Sequence, residues 1–269
     1  MLINTAFMTF STPELELAEV LSVAASFGYD GIEPRLDAGQ AHGVEVTADA
    51  ARRRQIRDMV RESGIKLACL ATSLKFADPD QQAAMLDQAR ERIDLAGDLE
   101  VPCLRLFGGK IPAGLSREAA ITGVAGCLRE LAGLAAQRQV TLCFETHDDW
   151  CDPEHVAAVI RAVDHPAVAV NWDIMHPVRT GKASMRQAFD SLRPWIRHLH
   201  VHDGVTEGGK LRLVPIGEGA IDHREALVCL SETGYRGFIS GEWIGWEPWE
   251  THLPRELAAL KRIAEGIDV

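Results

Sequence analysis

The sequence predicts an α/β protein, a single (β/α)8 TIM barrel over residues 1–269, on three observations. Strand-like and helix-like segments alternate eight times from end to end, which is the unit count of such a barrel. Four of the strand-like runs end at once in Glu, Asp or His: 140–147 (VTLCFETH), 168–176 (VAVNWDIMH), 196–203 (IRHLHVHD) and 238–243 (FISGEW). No linker or composition break interrupts the alternation, so one domain is expected. An open doubly wound sheet is the alternative, but it seldom needs eight consecutive units.

The elements follow from local signals. Residues 2–9 read as a first strand, and Ser11-Thr12-Pro13-Glu14 offers an N-cap with Pro early in the next helix. Gly28 to Gly31 stops that helix, 31–35 (GIEPR) is a short second strand, and 47–63 is an amphipathic helix closed by Gly64. Residues 66–72 form strand three, and Asp78-Pro79 opens a helix to about Asp98. Strand four is 103–109, followed by a helix from Ser116 to about Arg138 that opens with Ser-x-x-Ala in place of a full capping box. Strand five is 140–146, with Asp152-Pro153 starting its helix; strand six is 168–173, with a helix around 184–191. Strand seven is 196–202, followed by a Gly-rich loop and a helix over 222–233; strand eight is 238–242, and 254–266 closes the chain as a helix.

Composition narrows the function. A net charge of −11 counts against a nucleic-acid partner, because phosphate backbones are held by basic surfaces. The six cysteines form no CxxC pair and read as buried thiols of a reducing compartment. MLINTAFMTF carries neither a basic segment nor a small-residue cleavage site, so no signal peptide is expected. No apolar run reaches the ~18–20 residues of a membrane span. The expectation is a cytoplasmic protein without a membrane partner.

In a barrel of this kind the chemistry sits at the C-terminal strand ends, which selects Glu33, Glu145, His147, Asp173, His176, His200, His202, Asp203 and Glu242. A lone strand-end carboxylate is more often a cap, and a lone buried His a satisfied core residue. Four such ends on consecutive strands favour one shared divalent ion bound by Glu145, Asp173, His200 and Glu242. Oxygen-rich sets with one nitrogen suit Mn²⁺, Mg²⁺ or Co²⁺ better than a thiolate-type Zn²⁺ site. His176, three residues beyond Asp173, reads as a ligand for a substrate hydroxyl or as a loop residue. His147 lies on the same side of its strand as Glu145 and is a pocket candidate, as are His202 and, across the barrel, Glu33, with Arg35 weaker. Trp243, Trp246 and Trp249 could stack on a sugar, roof the barrel or serve an interface. Backbone N–H groups in 214–221 (VPIGEGAI) could hold an anion, although Gly217 and Gly219, like Gly108 and Gly109, also suit turns.

These segments resemble the xylose isomerase-like TIM-barrel superfamily of sugar phosphate isomerases and epimerases. The likeness rests on FETH at 144–147, NWDIMHP at 171–177, HLHVHDG at 198–204, PIGEGAID at 215–222 and GYRGFISGEW at 234–243, and covers nearly the whole chain. It implies a metal, usually Mn²⁺, on Glu145, Asp173, His200 and Glu242, with Mg²⁺, Co²⁺ or Zn²⁺ as alternatives, and His176 near the substrate. In the ketose 3-epimerase branch the two metal-bound glutamates serve as acid and base, here Glu145 and Glu242. That branch has a further Glu six residues after the first metal Glu and an Arg six after the metal His. This chain has Cys151 and Thr206 at those positions, so 3-epimerase substrate handling is not implied.

The expected function is a metal-dependent sugar or polyol isomerase or epimerase. Glu-mediated proton transfer would pass through a metal-stabilised enediolate. An inosose dehydratase-like lyase on a related keto-polyol is the first alternative, since loss of a β-hydroxyl would start from the same intermediate. A metal-dependent AP endonuclease and a non-catalytic sugar-binding protein are the others; the net charge disfavours the first of these. The partners expected are a sugar, a keto-polyol or their phosphates, and a second copy of the chain.

Overall fold

The computed structural model describes residues 3–267. Strands β1 (Asn4–Met8), β2 (Gly31–Glu33), β3 (Lys66–Leu67), β4 (Leu70–Lys75), β5 (Cys103–Phe107), β6 (Thr141–Glu145), β7 (Val168–Asp173), β8 (Ile196–Val201) and, after a hairpin, β11 (Phe238–Gly241) form one parallel sheet. Its order is β3-β2-β1-β11-β8-β7-β6-β5-β4. The two edge strands are halves of the expected third strand, broken at Ala68–Cys69. A parallel bridge between Arg35 and Ala71 joins β4 to the end of β2. The sheet therefore curls into a nearly closed (β/α)8 barrel, and the doubly wound alternative falls.

Helices α1 (Leu17–Phe27), α2 (Ala50–Ser63), α3 (Gln82–Asp98), α4 (Arg117–Gln137), α5 (Pro153–Val163), α6 (Met175–Arg179), α7 (Met185–Leu192), α8 (His223–Glu232) and α9 (Trp249–Ala264) accompany the strands. Ser116, Asp152, Ser184 and Asp222 each cap a helix as their position suggests, accepting a backbone N–H with the side chain. α4 is long and apolar enough to cross a membrane by length and composition. It is nonetheless a barrel helix, with Val124, Leu128 and Leu131 buried in the core.

Four local expectations change. Of the first strand expected over 2–9, Leu2 lies outside the described residues, and the strand ends at Met8. The first helix does not start at Ser11: Thr9–Ser11 make a 3-10 turn, and α1 begins at Leu17 behind a reciprocal Glu16–Glu19 cap. The hydroxyls of Thr9 and Ser11 are drawn inward, to Gln40 (2.6 Å) and His252 (2.9 Å). The loop after strand seven is an antiparallel hairpin, β9 (Asp203–Glu207) and β10 (Lys210–Val214). α9 starts at Trp249, so Pro254 lies a turn inside it. The Glu250 carbonyl that loses its helical donor to Pro254 belongs to an exposed residue.

The main apolar core lies between sheet and helices. Inside the barrel, Cys69, Cys103, Cys143 and Ala169 form a separate small cluster. All six cysteines are free and buried. Side chains alternate along a strand, so the next inward positions are Arg105, Glu145 and Asn171, followed by Asp173. Their side chains stand above the cysteines at the C-terminal mouth.

Candidate active site

Each polar side chain of the site comes from a strand end. Glu145 closes β6, Asp173 closes β7, His200 is the fifth residue of β8, and Glu242 directly follows β11. One ligand atom from each of these four residues lies within 4.8 Å of the others, and all four are buried. His200 Nδ1 is 2.7 Å from Glu145 Oε1 and 3.4 Å from Glu242 Oε2. Carboxylates brought this close in a dry interior need a compensating cation or proton.

Arg105 supplies part of that charge. Its Nε lies 3.4 Å from Glu145 Oε2 and its Nη2 3.9 Å from Glu242 Oε1, while Nη1 donates to the Thr72 carbonyl at 2.9 Å. The guanidinium also lies 4.1 Å over the Phe107 ring. Burial opposes ionisation of Glu242, but His200, Arg105 and His202 bring its pKa down to about 2. Burial likewise pulls the His200 imidazole down, yet Glu33, Glu145 and Glu242 hold it well above the ordinary histidine range. Asp173 stays ionised against burial through His202, His176 and His200.

Three further histidines, His147, His176 and His202, gather beside Asp173 and Glu145. His202 Nε2 is 3.0 Å from Asp173 Oδ2 and His176 Nε2 is 3.8 Å from it. Asp173 Oδ1 is engaged by the N–H groups of Met175 (2.8 Å) and His176 (3.2 Å), which open α6. The His147 ring meets those of His176 at 4.4 Å and Phe107 at 4.9 Å. Burial lowers both imidazoles; His147 nevertheless ends above its ordinary value because of Asp148, whereas His176 ends below.

Three other sequence expectations land elsewhere. Glu33 points at His198 and His200, not at open space, and is fully buried. Asp203 turns away from the site: its carboxylate accepts from the N–H groups of Gly204 (2.8 Å), Gly217 (2.9 Å), Gly219 (3.1 Å) and Ile221 (3.2 Å). The N–H groups of the 214–221 loop thus already hold an anion, one supplied by the chain itself. Trp243 is buried against His252, Trp246 packs on His252 and Arg255, and Trp249 meets Phe27. These are packing roles. Gly108 leaves room for Trp150, whose indole donates to the Gly109 carbonyl at 2.9 Å.

Arg105 escaped the sequence reading. Its signal was a single cation in the apolar run CLRLF, two residues after Cys103 and so on the same face. Arg35 is tied to Ala71 O and Ser73 Oγ.

Residues 21–263 match the family described as xylose isomerase-like TIM barrel. The chain belongs to that family. Among curated proteins similar to this chain, a 3-dehydroshikimate dehydratase of Bacillus anthracis is 21% identical over 255 residues, covering 88% of this chain and 89% of that protein. An L-ribulose-5-phosphate 3-epimerase of Salmonella paratyphi C is 24% identical over 230 residues, covering 81% and 79%. A crystal structure of a xylose isomerase-like TIM barrel protein from Mycobacterium smegmatis in complex with magnesium superposes with a TM-score of 0.77. It is 18% identical and covers 99% of this chain and 98% of that one. The curated relatives named here are enzymes acting on small molecules.

Proposed function

We propose that this barrel is a divalent-metal-dependent isomerase or epimerase of a sugar or polyol carbonyl compound, with Glu145 and Glu242 moving the proton. The observation that carries the reading is the convergence of Glu145, Asp173, His200 and Glu242 from four consecutive barrel strands. The donor set fits a hard or borderline cation, with three carboxylates and one imidazole. Glu145 Oε2 and Asp173 Oδ2 are buried and are met only by ion pairs, the closest to Arg105 Nε at 3.4 Å and to His202 Nε2 at 3.0 Å, which leaves lone pairs on both oxygens for a cation. Mn²⁺ is the ion we assign, with Mg²⁺, Co²⁺ and Zn²⁺ as alternatives.

When bound, the ion supplies Lewis acidity that polarises a carbonyl and acidifies the adjacent C–H. The chain does the rest. Either Glu145 or Glu242 would accept the proton from carbon. The same carboxyl would return it to the neighbouring carbon for isomerisation, whereas for epimerisation the other glutamate, protonated, would deliver a proton to the opposite face of the same carbon. Arg105 stands beside both carboxylates and helps keep Glu242 ionised, ready to act as a base. His176, His202 and His147 line the mouth, where substrate hydroxyls would be bound and oriented. Likeness to the epimerase of Salmonella paratyphi C supports this reading.

A dehydratase on a keto-polyol is the second reading. It is favoured by likeness to the 3-dehydroshikimate dehydratase, and by Cys151 and Thr206 where ketose 3-epimerases carry Glu and Arg. Proton NMR in D₂O of chelator-stripped protein, with and without Mn²⁺, tests both against ketoses, inososes, hydroxypyruvate and 3-dehydroshikimate. Mn²⁺-dependent loss of a C–H signal is expected, and the product separates isomer, epimer and alkene. Loss that ignores Mn²⁺, or no turnover across the panel, counts against the proposal.

A further inference from the structure

We infer that Glu33 is a positioning residue whose carboxylate fixes the proton of His200 on Nε2 and so turns the bare Nδ1 toward the cation site. The inference deepens the metal reading above and rests on it. Glu33 ends β2, beside β1 and opposite β8 across the barrel, and it is fully buried. Its two oxygens lie 3.1 and 3.2 Å from His200 Nε2, and Oε2 also accepts from His198 Nε2 at 2.8 Å. The other ring nitrogen of His200 faces Glu145 and Glu242 at 2.7 and 3.4 Å. One imidazole therefore spans two sets of carboxylates that compete for its N–H.

Despite burial, without a cation the surrounding carboxylates favour the doubly protonated ring. Binding a cation displaces one proton, and the neutral imidazole that remains has one N–H and one lone pair. With the proton on Nε2, Glu33 keeps two N–H donors, which suits a carboxylate that water does not reach. With the proton on Nδ1, the Nε2 lone pair would face both Glu33 oxygens in a dry interior, which is costly. The proton on Nδ1 would also block the only ring nitrogen directed at Glu145 and Glu242. Glu145, at 2.7 Å, is the group that would capture that proton if Glu33 were absent. Glu33 thus opposes Glu145 for the His200 proton, in the manner of outer carboxylates that orient metal-bound histidines.

The test uses the full chain, stripped with chelator, and Glu33→Gln. Both Glu33 oxygens face His200 Nε2, so in the amide one of them becomes an NH2 donor set against an N–H, and the His200 proton is no longer held on Nε2. Mn²⁺ affinity is read from the free-ion EPR signal, and folding of the metal-free protein from its thermal midpoint. A folded variant should bind Mn²⁺ about 10–100-fold more weakly. In parallel, ¹⁵N NMR of the Zn²⁺-loaded wild type should place the His200 proton on Nε2, a measurement that stands even if the variant does not fold. A folded variant within about threefold of wild-type affinity, or a proton found on Nδ1 with Nε2 bare, overturns the inference while leaving the metal site intact. A wild-type chain that takes up neither ion overturns the metal reading and this inference together.

Discussion

Glu145 and Glu242 each have two proposed duties, ligand and proton carrier, and substitution separates these from a merely structural part. At saturating Mn²⁺, Glu145→Gln and Glu242→Gln should each lower turnover by roughly 10²–10⁴-fold, the usual worth of a positioned acid or base. Retained activity in both, with metal still bound, would reassign the chemistry. His42, outside the proposed ligand set, gives a second prediction. It accepts the Val44 N–H on Nδ1 at 3.0 Å, and its Nε2 lies 3.1 Å from Gln40 Oε1. Only the neutral ring with its proton on Nε2 satisfies both bonds, and burial lowers its pKa from 6.5 to about 4. The unfolded chain therefore binds the extra proton between those values, so stability rises with pH through that window. The contribution is complete above about pH 6.5 and is lost as pH falls toward 4, with an upper bound of roughly 3 kcal/mol. Urea unfolding of metal-free wild type and His42→Gln over pH 4–7 should show a flatter slope in the variant; equal slopes would place the linkage elsewhere.

The hairpin β9–β10 and the turn into α8 are held by one side chain. Asp203 accepts four backbone N–H groups, Gly204 and Ile221 on Oδ1 and Gly217 and Gly219 on Oδ2. In Asp203→Asn one oxygen becomes an amide, leaving two donors unpaired and facing another donor. A loss of roughly 2–4 kcal/mol is expected, together with faster amide exchange confined to residues 204–221. Exchange that stays slow there would mean that other contacts hold the loop. A Cβ at Gly219 would collide with Asp203 Oδ1, which explains why this turn uses glycine at an ordinary backbone angle. The same elements show what sequence can and cannot reveal. Strands ending in Glu145, Asp173 and Glu242 are legible because the period-two pattern and the terminal carboxylate are both local. The hairpin is hidden because its tip, Thr206 to Lys210, is polar and rich in glycine. α9 reads as starting at Pro254 because proline favours a first turn, while the preceding turn, Trp249 to Leu253, carries no distinctive cap. Glu33 is legible as a strand end, but not its partners, which lie 165 and 167 residues away in sequence. Arg105 shows in sequence only as a cation in an apolar run; the pairing of β5 with β6 brings it to Glu145, and the curl of the sheet brings it to Glu242.

At the scale of the molecule, the barrel gathers acid at one end and pays for it in stability. Glu33, Glu145, Asp173 and Glu242 are all buried at the mouth of a chain whose net charge is already −11. Arg105 and the histidines offset this only in part, because Glu145 Oε2 and Asp173 Oδ2 each meet a single close cationic partner, Arg105 at 3.4 Å and His202 at 3.0 Å. Removing like charges from water without full pairing is destabilising. A divalent ion would relieve that repulsion in the native state, and the unfolded chain has no such site. Metal binding should therefore appear as folding stability. At Mn²⁺ a hundredfold above its Kd, the gain is about 2.7 kcal/mol, or roughly 5–10 °C in Tm for a chain of this size. A melt in excess chelator should fall below one in Mn²⁺ by that margin, and Asp173→Asn should erase most of the difference. The variant also loses part of the repulsion, so its chelator melt should drop less than loss of a buried ligand alone would suggest. If Mn²⁺ leaves the wild-type Tm unchanged, the buried carboxylates are balanced by protons and by Arg105, and the cluster is not a metal site.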